Sequence, residues 1–338
     1  MKAYRVDDFT SLDDLRLYDE PDGKPQRGEL LLRVHAVSLN YRDIAMLTGR
    51  YPRSHKKGLI PTSDGAAEVI AVGEGVEAFK VGDRVIGTFH PRWYAGPMHA
   101  TMGREAYGDQ NDGWLTQTKV VSQDAVVAFP NALSYEEAAT LPCAGLTAWT
   151  ALSGATPIRA GHTVLVQGTG GVSIFAVQLA RTVGARVIAT TSSSAKARRL
   201  LEMGASDVVN YRDTPEWGKE VRKLAGGRGV DRVVEVGGPG TINQSLRAVA
   251  AGGEIASIGF LSEENPGIDF FALKLSSATF RNIAVGDRAG LQELVRVVEA
   301  SGLKPVIDRA FPFAEAREAF AYLTSGAHFG KVVIRVAD

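Results

Sequence analysis

The chain has 338 residues, enough for two domains of ordinary size and too many for one small module. Hydrophobic residues make up 45% and charged residues 22%, a globular composition that excludes disordered, collagen-like and coiled-coil chains. Lys and Arg total 38 against 38 Asp and Glu, so no net field gathers nucleic acid or an anionic membrane, and the single cysteine, Cys143, excludes an intrachain disulfide or a site of several thiolates.

Met1 to Asp8 contain no apolar stretch of signal length, and no run of about eighteen apolar residues occurs further on, so a cytoplasmic protein without a membrane partner is expected. Up to about residue 125 the chain reads as short apolar or alternating runs broken by turn residues. Examples are Leu30 to Val37, Ala67 to Val72 before Gly73-Glu74-Gly75, and Gly82 to Gly87, which together predict a β-rich domain. His90 to Trp114 is the longest stretch without periodicity, and such loops in compact domains are functional or mobile. From about residue 135, strands alternate with helical patterns, the signature of βαβ units on a parallel sheet. Strands are predicted at Thr163 to Gln167, Arg186 to Thr191, Asp207 to Asn210, Asp231 to Val236, Glu254 to Gly259 and Phe280 to Val285, the six that a doubly wound dinucleotide fold requires. A helix over Ala314 to Leu323 and a strand over Lys331 to Val336 follow, and the last strand returns most economically to the first domain. The expected class is α/β, with a Rossmann domain over residues 125–300 between a β-rich domain at 1–124 and its completion at 301–338.

The sharpest motif begins at Thr163: an apolar strand runs into Gln167-Gly168-Thr169-Gly170-Gly171-Val172-Ser173 and then a helix over Ile174 to Val183. Gly168 permits the tight turn, Gly170 lets backbone approach a diphosphate, and Ser173 supplies the small residue that helix-on-strand packing demands. Which dinucleotide binds depends on the charge about twenty residues on. Thr191, Ser192 and Ser193 are followed by Lys196, Arg198 and Arg199, with no acid before Glu202. Hydroxyls beside cations suit a 2′-phosphate, so NADP(H) is favoured, against the alternative of a serine N-cap with a solvated basic face. Tyr211, just past the third strand, is either a neighbour of that phosphate or an exposed loop tyrosine.

Nearly the whole chain resembles the medium-chain dehydrogenase/reductase superfamily, in its zinc-free quinone oxidoreductase and enoyl reductase-like branch. The matching stretches are Ser38 to Asp43, Ile60-Pro61 through Gly65, Val72 to Val76 with Val81 to Val85, Leu141 to Ala148, the glycine motif, and Phe329 to Val333. The resemblance implies a GroES-like catalytic domain built from both chain ends, a nucleotide-binding domain between, a cleft separating them, and a homodimer that pairs through the strand at Phe280 to Val285. In metal-dependent members a cysteine, a histidine and a third ligand hold zinc. Here Asn40 and Ser63 stand in the first two places, and Cys143 lies one residue before the third, at Ala144. Amide and hydroxyl oxygens bind zinc poorly, so no metal is expected. The six histidines, His35, His55, His90, His99, His162 and His328, show no ligand spacing and read as surface or packing residues.

Without a Lewis acid, hydride transfer to a plain ketone builds a localised alkoxide, whereas a conjugated enone or a quinone spreads the charge through an enolate or phenolate. The expected reaction is therefore NADPH-dependent reduction of a conjugated carbonyl or a quinone. Residue by residue, the resemblance gives Tyr51 as proton donor and Asn40 as hydrogen-bond donor to the substrate carbonyl, with Tyr41 and Asp43 as scaffold. The alternatives are a turn tyrosine stacking on Pro52 and a backbone-capping amide. Val236-Gly237-Gly238 and Ile258-Gly259-Phe260 are expected over the nicotinamide, where strands end in glycines at the carboxyl edge of the sheet. Thr147, Phe329 and Lys331 are further cofactor contacts, although a strand-edge lysine also explains Lys331. Trp93, Tyr94 and Tyr107 in the irregular segment either face a flat ligand or pin the loop to its domain. Competing readings are an alcohol dehydrogenase acting on simple alcohols and a protein that binds NADPH without turnover.

Overall fold

A computed structural model describes residues 1–51, 56–99, 105–154, 156–262 and 264–337. Pro52 and His55 lie outside the described residues, as do residues 100–104 of the irregular segment. The chain forms two compact units, residues 1–146 with 286–338, and residues 147–285.

The first unit opens with antiparallel β1 (Lys2–Arg5) and β2 (Arg16–Asp19). β3 (Glu29–Ser38) alternates as its sequence demands, with Leu30, Leu32, Val34 and Ala36 buried and Leu31, Arg33 and His35 on the opposite, more accessible face. There follow α1 (Tyr41–Leu47), β4 (Asp64–Val72), β5 (Arg84–Gly87), β6 (Thr118–Ser122), β7 (Val126–Ala128) and α2 (Tyr135–Ala138). A wide turn over Leu141–Gly145 leads out of this unit into α3 (Leu146–Leu152), which from Thr147 on belongs to the second.

The second unit carries β8 (Thr163–Gln167), α4 (Gly171–Thr182), β9 (Arg186–Thr191), α5 (Ser194–Glu202), β10 (Asp207–Asn210), α6 (Trp217–Leu224), β11 (Val230–Glu235), α7 (Ile242–Ala248), β12 (Val249–Ser257), α8 (Phe270–Ser276) and β13 (Thr279–Asn282). Its sheet is parallel throughout, in the order β10-β9-β8-β11-β12-β13. Counted from β8 this is 3-2-1-4-5-6, the doubly wound order, with its switch point between β8 and β11. Leu165, Ile188, Val209, Trp217, Val233 and Ile255 form the core on one face. Three strands match their predicted limits. β12 starts five residues early because Val249 already pairs with Val230 across an irregularity at Gly252-Gly253, and β13 stops at Asn282, three residues short of Val285, whose φ of 66° turns the chain.

The chain then returns to the first unit with α9 (Arg288–Ser301), β14 (Ile307–Pro312), α10 (Ala316–Thr324) and β15 (Lys331–Arg335). β15 pairs antiparallel with β3 and parallel with β14, closing the sheet β14-β15-β3-β4-β5-β7, with β6 also on β3. The unit boundaries differ from the expected 124/125 and 300/301. β7 pairs with β5, the Cys143 amide bonds to Asp64 in β4, and α9 is held at its start by the irregular segment, so these pieces belong to the first unit. The carbonyls of Trp93 and Tyr94 accept from the Arg288 and Ala289 amides at 2.9 and 3.0 Å, while Asp287 accepts from Gly96. Tyr107 is buried edge-on against the fully buried Trp114. Trp93 and Tyr107 therefore anchor the segment, and Tyr94 alone of the three stays exposed. Among the described residues no helix is long and apolar enough to cross a membrane.

Candidate functional site

In the second unit the predicted dinucleotide residues line the carboxyl edge of the parallel sheet. β8 ends at Gln167, and Gly168 turns the chain with φ of 70°, a left-handed value that costs an L side chain. Gly170 caps α4, and a methyl group added at either glycine would meet open space. The first helical bond is donated by Ile174 to Gly170, so the N–H groups of Gly171, Val172 and Ser173 have no helical acceptor and lie at the helix entrance, the kind of place that attracts an anion. Ser173 is more than small. Its hydroxyl donates to the Gln167 carbonyl at 2.6 Å and locks the turn behind Thr169.

Beside it, Thr191 closes β9 with its side chain buried. Its carbonyl accepts from the Tyr211 amide at 3.1 Å and its hydroxyl from the Ser193 amide at 3.4 Å. The structure corrects one detail: the Ser193 oxygen serves as N-cap of α5, accepting from the Lys196 amide at 3.3 Å. What remains for an anion is the start of α5, free of acids in its first turn, with Ser192, Lys196 and the half-exposed ring of Tyr211 around it.

The loops after β11 and β12 close on each other. Gly238 has φ of 83°, and a side chain there would strike Gly259 and Phe260. One at Gly237 would strike Thr241, and one at Gly259 the Val236 carbonyl. Val236, Gly237, Gly238, Ile258, Gly259 and the exposed Phe260 thus form one shelf that only glycine backbone can build. Thr147 is buried in the first turn of α3. Two residues beneath the shelf went unnoticed in the sequence, Gln167 and Glu235. The available signal was an acid ending an apolar strand directly before Val-Gly-Gly.

In the first unit a buried polar cluster surrounds Asn40 and Lys331. The Lys331 ammonium, 3% exposed, donates to the Leu39 carbonyl at 2.6 Å and to Asn40 Oδ1 at 2.7 Å. Asn40 Nδ2 donates to Asp64 at 3.0 Å and makes a long 3.5 Å contact to the Ser38 carbonyl. Asp64 also accepts from the Ser63 hydroxyl at 2.8 Å and the Cys143 amide at 3.3 Å. Asp43 accepts from the Asn40 amide at 2.8 Å and lies 3.4 Å from the Arg42 guanidinium. Burial pushes both carboxyls up, Asp43 to about 6 against the pull of Arg42, and Asp64 against that of Lys331. Burial lowers Lys331 in turn. Tyr51 follows α1, its amide on the Ala45 carbonyl and its ring 5.8 Å from the Arg42 guanidinium, which also covers Phe89.

Two expectations change here. The Phe329 ring is fully buried and belongs to the packing, and the Lys331 ammonium is turned into the protein as the clasp of Asn40, not held at a strand edge. The residues at the zinc-ligand places do not suit zinc. Asn40 Oδ1 already holds a cation, the Ser63 hydroxyl is spent on Asp64, Ala144 has no ligand atom, and burial pushes the neighbouring Cys143 thiol far up, away from the thiolate a metal needs. Of the histidines, His35 stacks on Tyr135 beside Glu68, and His90 packs edge-on against Phe89 and Trp93.

Two families match along the chain, the alcohol dehydrogenase GroES-like domain over residues 26–131 and the zinc-binding dehydrogenase over residues 171–300. A zinc-type alcohol dehydrogenase-like protein of Schizosaccharomyces pombe is 38% identical, over 98% of this chain and 97% of its own length. Acryloyl-coenzyme A reductase of Metallosphaera sedula is 29% identical over 93% and 94%. The structure of the mycobacterial protein Rv1454c complexed with NADPH superposes with a TM-score of 0.84 at 28% identity, covering 99% of this chain and all of that one. With the doubly wound sheet and the GroES-like unit, the chain belongs to the medium-chain dehydrogenase/reductase superfamily of oxidoreductases.

Proposed function

We propose that this protein is an NADPH-dependent, zinc-independent reductase of conjugated carbonyl compounds or quinones. The observation that carries the reading is the ammonium of Lys331 on Asn40 Oδ1, which fills with protein the place where metal-dependent relatives need an open ligand. A reductase without a Lewis acid suits acceptors that delocalise the incoming charge. The kinship with an acryloyl-coenzyme A reductase, by name a reductase of a conjugated thioester, supports that substrate class. The kinship with a protein solved with NADPH supports the cofactor.

Bound NADPH supplies the hydride. The entrance of α4 at Gly168 to Ser173 binds the diphosphate, the start of α5 with Ser192, Lys196 and Tyr211 binds the 2′-phosphate, and the shelf of Val236 to Gly238 with Ile258 to Phe260 carries the nicotinamide, with Thr147 beside it. In the first unit the second amide hydrogen of Asn40, held only by the long contact to Ser38, donates to the substrate carbonyl, and the Tyr51 hydroxyl delivers the proton that completes reduction.

The test is a panel of enones, enals and quinones followed by NADPH absorbance, with metal content measured on the same sample. Turnover by metal-free protein is expected. Stoichiometric zinc with chelator-sensitive activity, preferential oxidation of saturated alcohols, or NADPH binding without turnover of any substrate would each overturn the reading.

The working form is proposed to be a homodimer. Strand β13 is the open edge of the parallel sheet, and Phe270, Phe271 and Leu275 of the neighbouring α8 are 67%, 72% and 78% exposed, with Phe280 on the edge strand itself. A second copy pairing along β13 would cover both the unpaired backbone and the apolar patch.

A further inference from the structure

Glu235 is the last residue of β11 and 1% exposed, and its carboxylate collects five donors. Oε1 accepts from the Gly237 amide at 2.9 Å, the Gly238 amide at 3.0 Å and the Thr241 hydroxyl at 2.6 Å. Oε2 accepts from Gln167 Nε2 at 2.7 Å and from the Ser245 hydroxyl. Gln167, the last residue of β8, completes the arrangement: its Oε1 accepts from the Val236 and Gly237 amides at 3.2 and 3.3 Å, and its Nε2 also donates to Ser245 at 2.8 Å. The Gln167 carbonyl is the one that Ser173 bonds at the start of α4.

Every group turned toward Glu235 is a donor, and none of these donors belongs to a cationic side chain. A carboxylate, which accepts at both oxygens, satisfies all three N–H groups and both hydroxyls of that set. Burying such a charge is costly, and the N–H dipoles of a loop are an expensive way to stabilise a turn unless its conformation matters. Both residues sit at the switch point of the sheet, one at the root of the diphosphate turn and the other at the root of the nicotinamide shelf.

We infer that Gln167 and Glu235 are positioning residues for the cofactor, a buried acceptor pair that locks the Val236 to Gly238 loop to the diphosphate turn so that both halves of the dinucleotide meet preset backbone. The inference rests on the proposed NADPH site. It also has a consequence that a generic core contact lacks, because the hydrogen-bond pattern is symmetric to exchange. With glutamate at 167 and glutamine at 235, the carboxylate accepts from Val236 and Gly237, the amide oxygen accepts from Gly237, Gly238 and Thr241, and the amide nitrogen donates to the carboxylate. Either single change instead opposes two carboxylates or two amide donors.

The experiment compares wild type, Gln167→Glu, Glu235→Gln and the exchanged double variant, each by NADPH fluorescence titration, by kcat and KM, and by thermal midpoint. Each single variant is expected to raise the NADPH dissociation constant roughly tenfold or more, with KM for NADPH moving further than kcat, and the exchanged pair is expected to restore affinity to within about threefold. Thr241→Val, which removes one donor from Oε1, serves if the single variants do not fold, and is expected to weaken NADPH binding severalfold with little change in midpoint. Folded single variants with wild-type affinity, a folded exchanged pair that stays weak, or an unaltered Thr241→Val would overturn the inference while leaving the NADPH site in place. Wild-type protein that binds no NADPH would overturn the functional reading and this inference with it.

Discussion

Tyr51, whose ring lies 5.8 Å from the Arg42 guanidinium, is the proposed proton donor. Tyr51→Phe is expected to lower kcat by roughly a hundredfold while leaving NADPH affinity unchanged, a split that steady-state kinetics with a binding titration will read. Lys331→Met strands the Asp64 carboxyl without its cation, and a loss of about 3 kcal/mol in denaturant unfolding is expected. Asp43 gives a pH signature. Its folded value of about 6 lies above its ordinary one, so folding favours the protonated form, and stability contributed below pH 4 is lost as the pH rises through 6. Asp43→Asn cannot ionise, so its thermal midpoint relative to wild type should climb between pH 4 and 7; a constant difference would refute the assignment. At this scale the sequence singled out Asn40 and Lys331 but not their bond, because residues 291 positions apart reveal contact only once β15 lies beside β3.

At the scale of the element, the proposed preference for NADPH rests on the start of α5. Its first turn holds no acid, its N–H groups and Lys196 favour an anion, and the Ser193 cap fixes where the helix begins. Lys196→Ala is expected to raise KM for NADPH by about tenfold and to leave KM for NADH nearly unmoved; equal effects on both would place the lysine away from the 2′-phosphate. β8 and β9 were readable because both are largely buried and appear as apolar runs, and β10 because polar Asp207 and Asn210 bound its Val208-Val209 pair. The limits of β8, β9 and β10 therefore emerge from the residues alone. β12 did not, since Gly252-Gly253 punctuates a strand whose pairing with β11 overrides the break. Glu235 was illegible for a different reason: a lone acid at a strand end looks solvated until the loop beyond it folds back over its oxygens.

For the whole molecule, the apolar face of α8 and the free edge of β13 predict association. Sedimentation equilibrium is expected to give a dimer, and Phe271→Lys with Leu275→Lys to shift it to monomer without loss of helix content; a wild-type monomer would exclude this surface. The chain's division was only partly legible, because the irregular segment and α9, nearly two hundred positions apart, are joined by backbone bonds that no local pattern announces. The sequence by itself determined the βαβ texture, the glycine turn, the absence of an acid after β9 and the loss of good metal ligands, since each depends on residue type at short spacing. Tertiary structure alone decided that Lys331 clasps Asn40, that Phe329 is interior, and that Glu235 is ringed by donors, because hydrogen bonds and burial join groups that only the folded sheet brings within 3 Å.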